Sequence, residues 1–317
     1  MKKALIIGAA GFVGNYLVDH IQKNCMWSIA VTKMKHENVF FENVDVWDLD
    51  ILNCNEVSGL LQEIRPSYIF HLAAQSSVAL SWKNPGLTVD VNIKGSLNVL
   101  DAIRELDYKP RVLLIGSGEE YGYVKENEIP IEEENTLRPG NLYAVTKACQ
   151  NMIGNIYARA YDMNVMMVRA FNHIGSNQTP QFVVPDFCKQ VAEIEAGKKD
   201  AVIRVGNLAA KRDFTDVRDV VRAYVQLIEK GSSGEVYNVG SGRSVSISEI
   251  LEMIIQKSSV PVSVVVEPER LRPIDVPVIE AEISKLRECT GWSPQIPLET
   301  TLQETLQYWR EQVSKSE

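Results

Sequence analysis

The first half of this 317-residue chain alternates two kinds of segment, and the alternation limits the folds open to it more than any other feature. Compact apolar runs at residues 4–7, 28–32, 68–73, 111–115 and 165–168 are short, rich in β-branched residues or leucine, and lack polar alternation. Strands buried on both faces read this way. Between the runs lie longer amphipathic segments at 13–23, 51–65, 87–106 and 142–161, which are expected to be helices. Strand–helix alternation requires crossovers between parallel strands, so a doubly wound α/β sheet is expected. Beyond residue 169 the pattern loosens. Residues 172–185 are polar and contain Pro and Gly, 187–197 and 218–230 read as helices, and 202–205 and 236–239 read as strands, the last expected to rejoin the sheet. Helices at 247–257 and 300–313 flank a proline-rich stretch at 268–277. The expected division is one domain of residues 1–170 with about 213–240, and a smaller, interwoven one of 171–212 and 241–317.

Composition narrows the function. The formal charge of -8, from 33 basic and 41 acidic residues, disfavours nonspecific binding to nucleic acid or anionic membrane. No stretch reaches the ~18–20 apolar residues of a membrane span. Cys25, Cys54, Cys149, Cys188 and Cys289 are scattered and never closely spaced, so neither a metal-ligand set nor a disulfide framework is visible. A reducing, cytoplasmic setting is the expectation. The opening MKKALIIGAAGFVG reads as a strand and loop, because its apolar stretch is short and broken by glycines.

That strand and loop carry the first functional signal. Gly8, Gly11 and Gly14 follow the first strand and open the first helix. Glycines there permit a tight turn and let backbone approach a pyrophosphate, while the helix N-terminus offers unpaired N–H groups. Tyr143 and Lys147 form a second signal. On a helix, positions i and i+4 share a face, so the ammonium stands one turn from the phenol. At ~4 Å and an effective dielectric near 20, such a pair interacts by roughly 4 kcal/mol. The expectation is a phenol drawn from about 10 towards neutrality, usable as an acid or base. The alternative is an exposed tyrosine beside a solvated lysine.

The GxxGxxG spacing, Ser117 in LLIGSGEEYG, and Tyr143-x-x-x-Lys147 arrive in an order that resembles the short-chain dehydrogenase/reductase superfamily, and with it a Rossmann sheet. The resemblance implies NADPH or NADH as cofactor, with Phe12, Val13 and Ala170 beside the glycines against it. Thr32, Lys33 and Lys35 stand where members preferring NAD carry an acidic residue, which leans towards NADPH or dual use. The alternative is solvated loop lysines. Asp45 and Val46 resemble the family's adenine-contacting pair. Leu72, Ala73, Ala74 and Gln75 resemble its cofactor-facing stretch, and Asn92 its helix asparagine. The resemblance makes Tyr143 the proton donor, Ser117 the group orienting the substrate oxygen, and Lys147 the holder of the nicotinamide ribose.

RAFNHIG at 169–175, KRDFTDVRDV at 211–220 and RLRPIDV at 270–276 extend the likeness to the extended members, which act on nucleotide-sugars. It assigns the substrate to Asn172, Ser76, Val184 and Asp275, and its diphosphate to Arg212 and Arg272, whose guanidinium groups suit phosphate. HLAAQSSV, GSGEEYG and RAFNHIG look most like the GDP-4-keto-6-deoxy-D-mannose reductases, which make GDP-D-rhamnose. Glu119 instead matches the Thr-x-Glu pattern of the related GDP-mannose 4,6-dehydratases, where the glutamate removes the C5 proton; the alternative is a loop carboxylate. The resemblance thus implies reduction of a GDP-hexose, with a dehydratase, a sugar epimerase and a non-catalytic NADPH-binding regulator as rivals. It also implies a homodimer paired through the helices at 87–106 and 142–161, and no metal.

Overall fold

The computed structural model describes residues 1–271 and 276–315. The first half runs β1 (Lys3–Ile7), α1 (Phe12–Asn24), β2 (Ser28–Lys33), β3 (Asp45–Asp48), α2 (Cys54–Ile64) and β4 (Tyr68–His71). It continues through α3 (Val78–Lys83), α4 (Pro85–Val89), α5 (Ser96–Arg104), β5 (Arg111–Ser117), α6 (Leu142–Ala160) and β6 (Asn164–Ala170). The second half holds β7 (Asn172–Ile174), α7 (Val183–Glu195), β8 (Val202–Val205), β9 (Lys211–Asp216), α8 (Val217–Lys230) and β10 (Val236–Val239). Last come β11 (Ser244–Ser246), α9 (Ile247–Ile255), β12 (Ser263–Val266), β13 (Val278–Ile279), α10 (Ser284–Thr290) and α11 (Leu298–Ser314).

Seven strands form one parallel sheet in the order β10-β6-β5-β4-β1-β2-β3. Chain direction across the sheet reverses at β1 and β4, which opens a crevice at their carboxyl ends. Both faces are covered, so successive residues of one strand enter different cores. Ala4 and Ile6 join a cluster with α1 and α8, while Leu5 and Ile7 join one with α2 and α5. This two-sided burial is why the strands read as continuous apolar runs. The edge strand β3 is largely exposed, lacks such a run, and was not marked by one.

A third core lies among α7, α9, α11, β8 and β9, built on residues such as Phe187, Ile203, Ile250 and Leu306. Two smaller sheets accompany it: β9 pairs with β7, β11 and β13 in one, and β8 pairs with β12 in the other. Val236–Val239 returns to the main sheet beside β6.

Three helices differ from their sequence expectation by three residues or more, one of them the helix expected at 187–197, which runs Val183–Glu195. The stretch expected from 51 starts at Cys54, because the Asn53 side chain accepts from the N–H groups of Asn55 and Glu56 and caps it there. The helix expected over 87–106 begins at Pro85 and passes through a π-helical turn, Asp90–Gly95, before α5. Among the described residues, no helix is long and apolar enough to cross a membrane.

Candidate active site

A cleft of about 790 Å³ opens at the carboxyl ends of β1, β4 and β5 and is walled on the far side by residues 171–184. Its floor is the glycine turn. Gly8 has φ +85°, and a Cβ there would lie 2.6 Å from the Cα of Ala73, so only glycine lets the β1 and β4 loops approach this closely. A Cβ at Gly14 would fall 2.2 Å from the carbonyl oxygen of Ala9. Gly11 is different. It precedes α1 with no side-chain cap, and a Cβ there would meet nothing nearer than 3.8 Å. What Gly11 leaves open is cleft, next to an uncapped helix N-terminus that attracts anions. A glycine cradle of this shape fits the pyrophosphate of a dinucleotide.

Thr32 and Lys33 line the cleft, but both are engaged within the protein. The Thr32 hydroxyl accepts from Gly8 N–H at 3.1 Å, and the Lys33 ammonium pairs with Asp48 at 2.6 Å. Glu37 also reaches the wall. The pair Asp45–Val46 corrects an expectation: both residues sit on the exposed edge strand β3. The segment enters the cleft only after the strand ends, through Leu49, Asp50, Ile51 and Leu52.

Leu72, Ala73, Ala74, Gln75 and Ser76 follow β4 along the wall, as do Phe12, Val13 and Ala170. Asn92 requires a second correction. It is fully buried in the π-helical turn and is not part of the cleft wall. Its side chain accepts from Gln75 N–H at 2.8 Å and donates to Gln75 O at 3.1 Å and to the Thr146 hydroxyl at 2.9 Å. Asn92 therefore clamps the cleft loop to α6 from behind, and single π turns of this kind recur beside functional sites.

Ser117, Tyr143 and Lys147 converge on the same cleft, and all three are buried. Ser117 ends β5, where its hydroxyl accepts from Glu119 N–H at 3.2 Å. Tyr143 is placed by the start of α6. Asn141 caps that helix by accepting from Ala144 N–H at 2.9 Å, and its amide donates to Glu119 at 3.2 Å. The Ser117 hydroxyl stands against the phenol and favours its ionised form. Burial outweighs this, and the carboxylates of Glu119 and Glu120 act with burial, so the phenol is pushed well above its usual value. The expected depression is thus reversed. The Lys147 ammonium donates to Ile115 O at 2.6 Å and Gln150 Oε1 at 3.0 Å. Burial brings Lys147 down to about 8, against a smaller opposing pull from Glu120.

On the opposite wall stand Asn172, Val184 and Phe171, whose ring lies against Gly118. His173 stacks flat on Phe12, with ring centroids 6.1 Å apart, joining this wall to the glycine turn. Arg212 is not on the wall. It is nearly buried where β9 pairs with β13, and it donates to the carbonyls of Lys211 and Val276 at 2.8 and 2.7 Å. Arg272 and Asp275 lie outside the described residues. Three features escaped sequence reasoning: Gln178 and Gln181 on the far wall, Tyr224 from α8, and Glu120 beneath the site. The first two sit in irregular or amphipathic sequence without a motif, and nothing distinguishes Glu120 from Glu119 until burial is known.

The model of the GDP-mannose 4,6 dehydratase family matches residues 5–305. The chain belongs to that family. The family is part of the extended short-chain dehydrogenases/reductases, NAD(P)-dependent enzymes of nucleotide-sugars. Within it, the chain is 30% identical over 313 residues to the GDP-6-deoxy-D-mannose reductase of Pseudomonas aeruginosa, covering 98% of each. It is 26% identical to the GDP-mannose 4,6-dehydratase of Yersinia enterocolitica, covering 94% of this chain and 91% of that one. The structure of RMD from Pseudomonas aeruginosa complexed with NADPH matches with a TM-score of 0.88 and 29% identity, over 98% of this chain and 100% of that one. For a member of this family, the glycine cradle and the Ser117–Tyr143–Lys147 group fall in one cleft.

Proposed function

We propose that the protein is a reductase that converts GDP-4-keto-6-deoxy-D-mannose to GDP-D-rhamnose with NADPH or NADH. The observation that carries this reading is the buried phenol of Tyr143 beside Ser117 at the glycine cradle, in a chain similar end to end to a GDP-6-deoxy-D-mannose reductase. A phenol held above its ordinary pKa stays protonated through the working pH range. Such a phenol can give its proton to an oxygen, as ketone reduction needs.

The Gly8–Gly14 turn and the start of α1 would hold the pyrophosphate, Asp50 and Ile51 the adenosine, and Lys147 the nicotinamide ribose. Bound there, the cofactor would supply the hydride for the sugar's C4. Tyr143 gives its proton to the C4 oxygen, and the Ser117 hydroxyl orients that oxygen. Residues 171–212 and 241–317 would carry the nucleotide-sugar, with Asn172, Ser76 and Val184 on the wall and Arg272 at the diphosphate. A homodimer is part of this reading: α6 exposes Val145, Met152 and Ile156, and Leu87 and Val89 of α4 are also exposed, as a covered helical face would require. Light scattering tests it.

Glu119 favours one rival. It lines the cleft, where a dehydratase would use a carboxylate on C5. Incubation with GDP-4-keto-6-deoxymannose and NADPH should consume NADPH and yield GDP-rhamnose. A 4-keto-6-deoxy product from GDP-mannose without added cofactor would overturn the reductase reading in favour of the dehydratase.

A further inference from the structure

Beneath the reacting group lies a second, fully buried carboxylate. Glu120 has no exposed surface, and its oxygens accept from Ser117 N–H at 2.8 Å, from the Asn151 amide at 2.8 and 2.9 Å, and from Arg169 Nε at 3.1 Å. Every one of these partners is a donor. With the Arg169 guanidinium among them, this donor set suits a carboxylate held by charge-assisted bonds. Burial raises its pKa above the ordinary carboxylate value, and Arg169, Ser117 N–H and Asn151 oppose that rise without cancelling it. The site is also built around it: a Cβ at Gly116 would fall 2.3 Å from Glu120 Oε1.

The network reaches the other half of the molecule. Arg169 donates to the Tyr121 hydroxyl at 2.9 Å and to Glu133 O at 2.8 Å; Tyr121 donates to Asn238 at 2.7 Å, and Asn238 to Ile131 O at 2.8 Å. Asn151 sits one helical turn beyond Lys147, on the face that bears Tyr143. A single carboxylate thus touches the strand end that carries Ser117 and the helix that carries the other two groups.

We propose that Glu120 is a positioning residue for the reaction: with Arg169 and Asn151 it fixes the backbone of Ser117, and it places a buried negative charge behind Lys147 and Tyr143. This rests on the reading of Ser117, Tyr143 and Lys147 as the reacting group. The charged and titratable groups that face Lys147 are Glu120 and His71, and those that face Tyr143 are Glu119, Glu120 and Tyr224. His71 is buried and brought down to about 3, so it is neutral in the working range. Glu120 is therefore the group whose removal lowers both titrations: it holds Lys147 up towards its charged form and holds Tyr143 in its protonated form.

The test is Glu120→Gln, which keeps an acceptor for Ser117 N–H and removes the charge. The first readout is the titration of Lys147 in protein labelled with 13C at lysine Cε, assigned with Lys147→Ala and followed by NMR without substrate. The Lys147 midpoint is expected to fall by about one unit from the wild-type value, the low end of what a neighbouring charge does. Glu120→Asp, which keeps the charge, should recover most of that shift. In ketone reduction, Glu120→Gln should lower kcat on the order of ten- to a hundredfold with KM little changed, and move the alkaline limb of the pH profile to lower pH. An unchanged Lys147 midpoint in folded Glu120→Gln protein overturns the proposal. A wild-type protein that reduces no keto-sugar would instead overturn the functional reading, and the NMR arm would still decide this one. If the single variant fails to fold, Glu120→Gln with Arg169→Gln removes both buried charges together and carries a smaller fall in the same direction, because loss of the Arg169 cation partly offsets loss of the carboxylate.

Discussion

The two walls of the cleft are made of different material. On the sheet side, Gly8, Ala73 and Ser117 hang from strand ends, and Tyr143 and Lys147 sit on a helix of 19 residues capped by Asn141. On the other side, Asn172 to Val184 come from a three-residue strand, a polar loop and the start of α7. Chemistry that needs sub-ångström placement rests on the rigid wall, whereas the adaptable wall is where sugar and base would be distinguished. Damage to the first should therefore cost rate, and damage to the second should cost affinity.

The largest break should come from Tyr143→Phe. Loss of the proton donor is expected to lower kcat about 10³-fold with NADPH binding retained, checked by steady-state kinetics beside fluorescence titration. Near-wild-type turnover would remove the phenol from the mechanism. The glycines sharpen the comparison within the rigid wall. Gly8→Ala forces a Cβ against Ala73 at positive φ and should destabilise the fold by about 1–3 kcal/mol, visible as a lower Tm. Gly11→Ala meets open space, so Tm should hold while the Kd for NADPH rises on the order of tenfold. Equal effects of the two on Tm would contradict the assignment of Gly11 to the ligand.

The pH dependence follows from Lys147. Its pKa of about 8 lies below the ordinary lysine value, so the ammonium is present below that pH and lost above it. With NADPH as the varied substrate, kcat/KM should be flat below about pH 8 and fall above it. The stability contribution has the opposite sign: between about 8 and 10.5 the unfolded chain binds more protons than the folded one, so this group makes stability rise with pH there. The smallest expected effect is on the adaptable wall. Asn172→Ala should raise KM for the nucleotide-sugar a few-fold, on the order of one lost hydrogen bond, with kcat nearly unchanged. A kcat defect larger than that of Glu120→Gln would erase the contrast between the walls.

The same contrast explains what could be read from the sequence. Strands buried on both faces declare themselves, and so do glycines and a tyrosine–lysine pair at helical spacing, because each is fixed by local geometry. The edge strand β3 does not, and this left the adenosine-side residues placed at Asp45 and Val46 when Asp50 and Ile51 reach the cleft. Asn92 carried a true signal with a different role, since a π-helical turn is invisible in residue pattern and turns its side chain to Gln75 and Thr146. Arg212 was chosen for its chemistry, but strand pairing with β13 directs it to backbone carbonyls. The depressed phenol assumed that a lysine's proximity would prevail, whereas burial prevails. Of two adjacent glutamates, only tertiary packing decides that Glu119 faces the cleft and Glu120 the core.

The central claim is that this cleft delivers hydride to C4 of a GDP-linked keto-sugar while Tyr143 protonates its oxygen. The most direct measurement uses NADPH carrying deuterium at the transferable position of the nicotinamide, with GDP-4-keto-6-deoxymannose as acceptor and NMR of the product. The account predicts GDP-rhamnose with deuterium at C4. A product with no deuterium in the sugar, or with deuterium at another carbon, would contradict it.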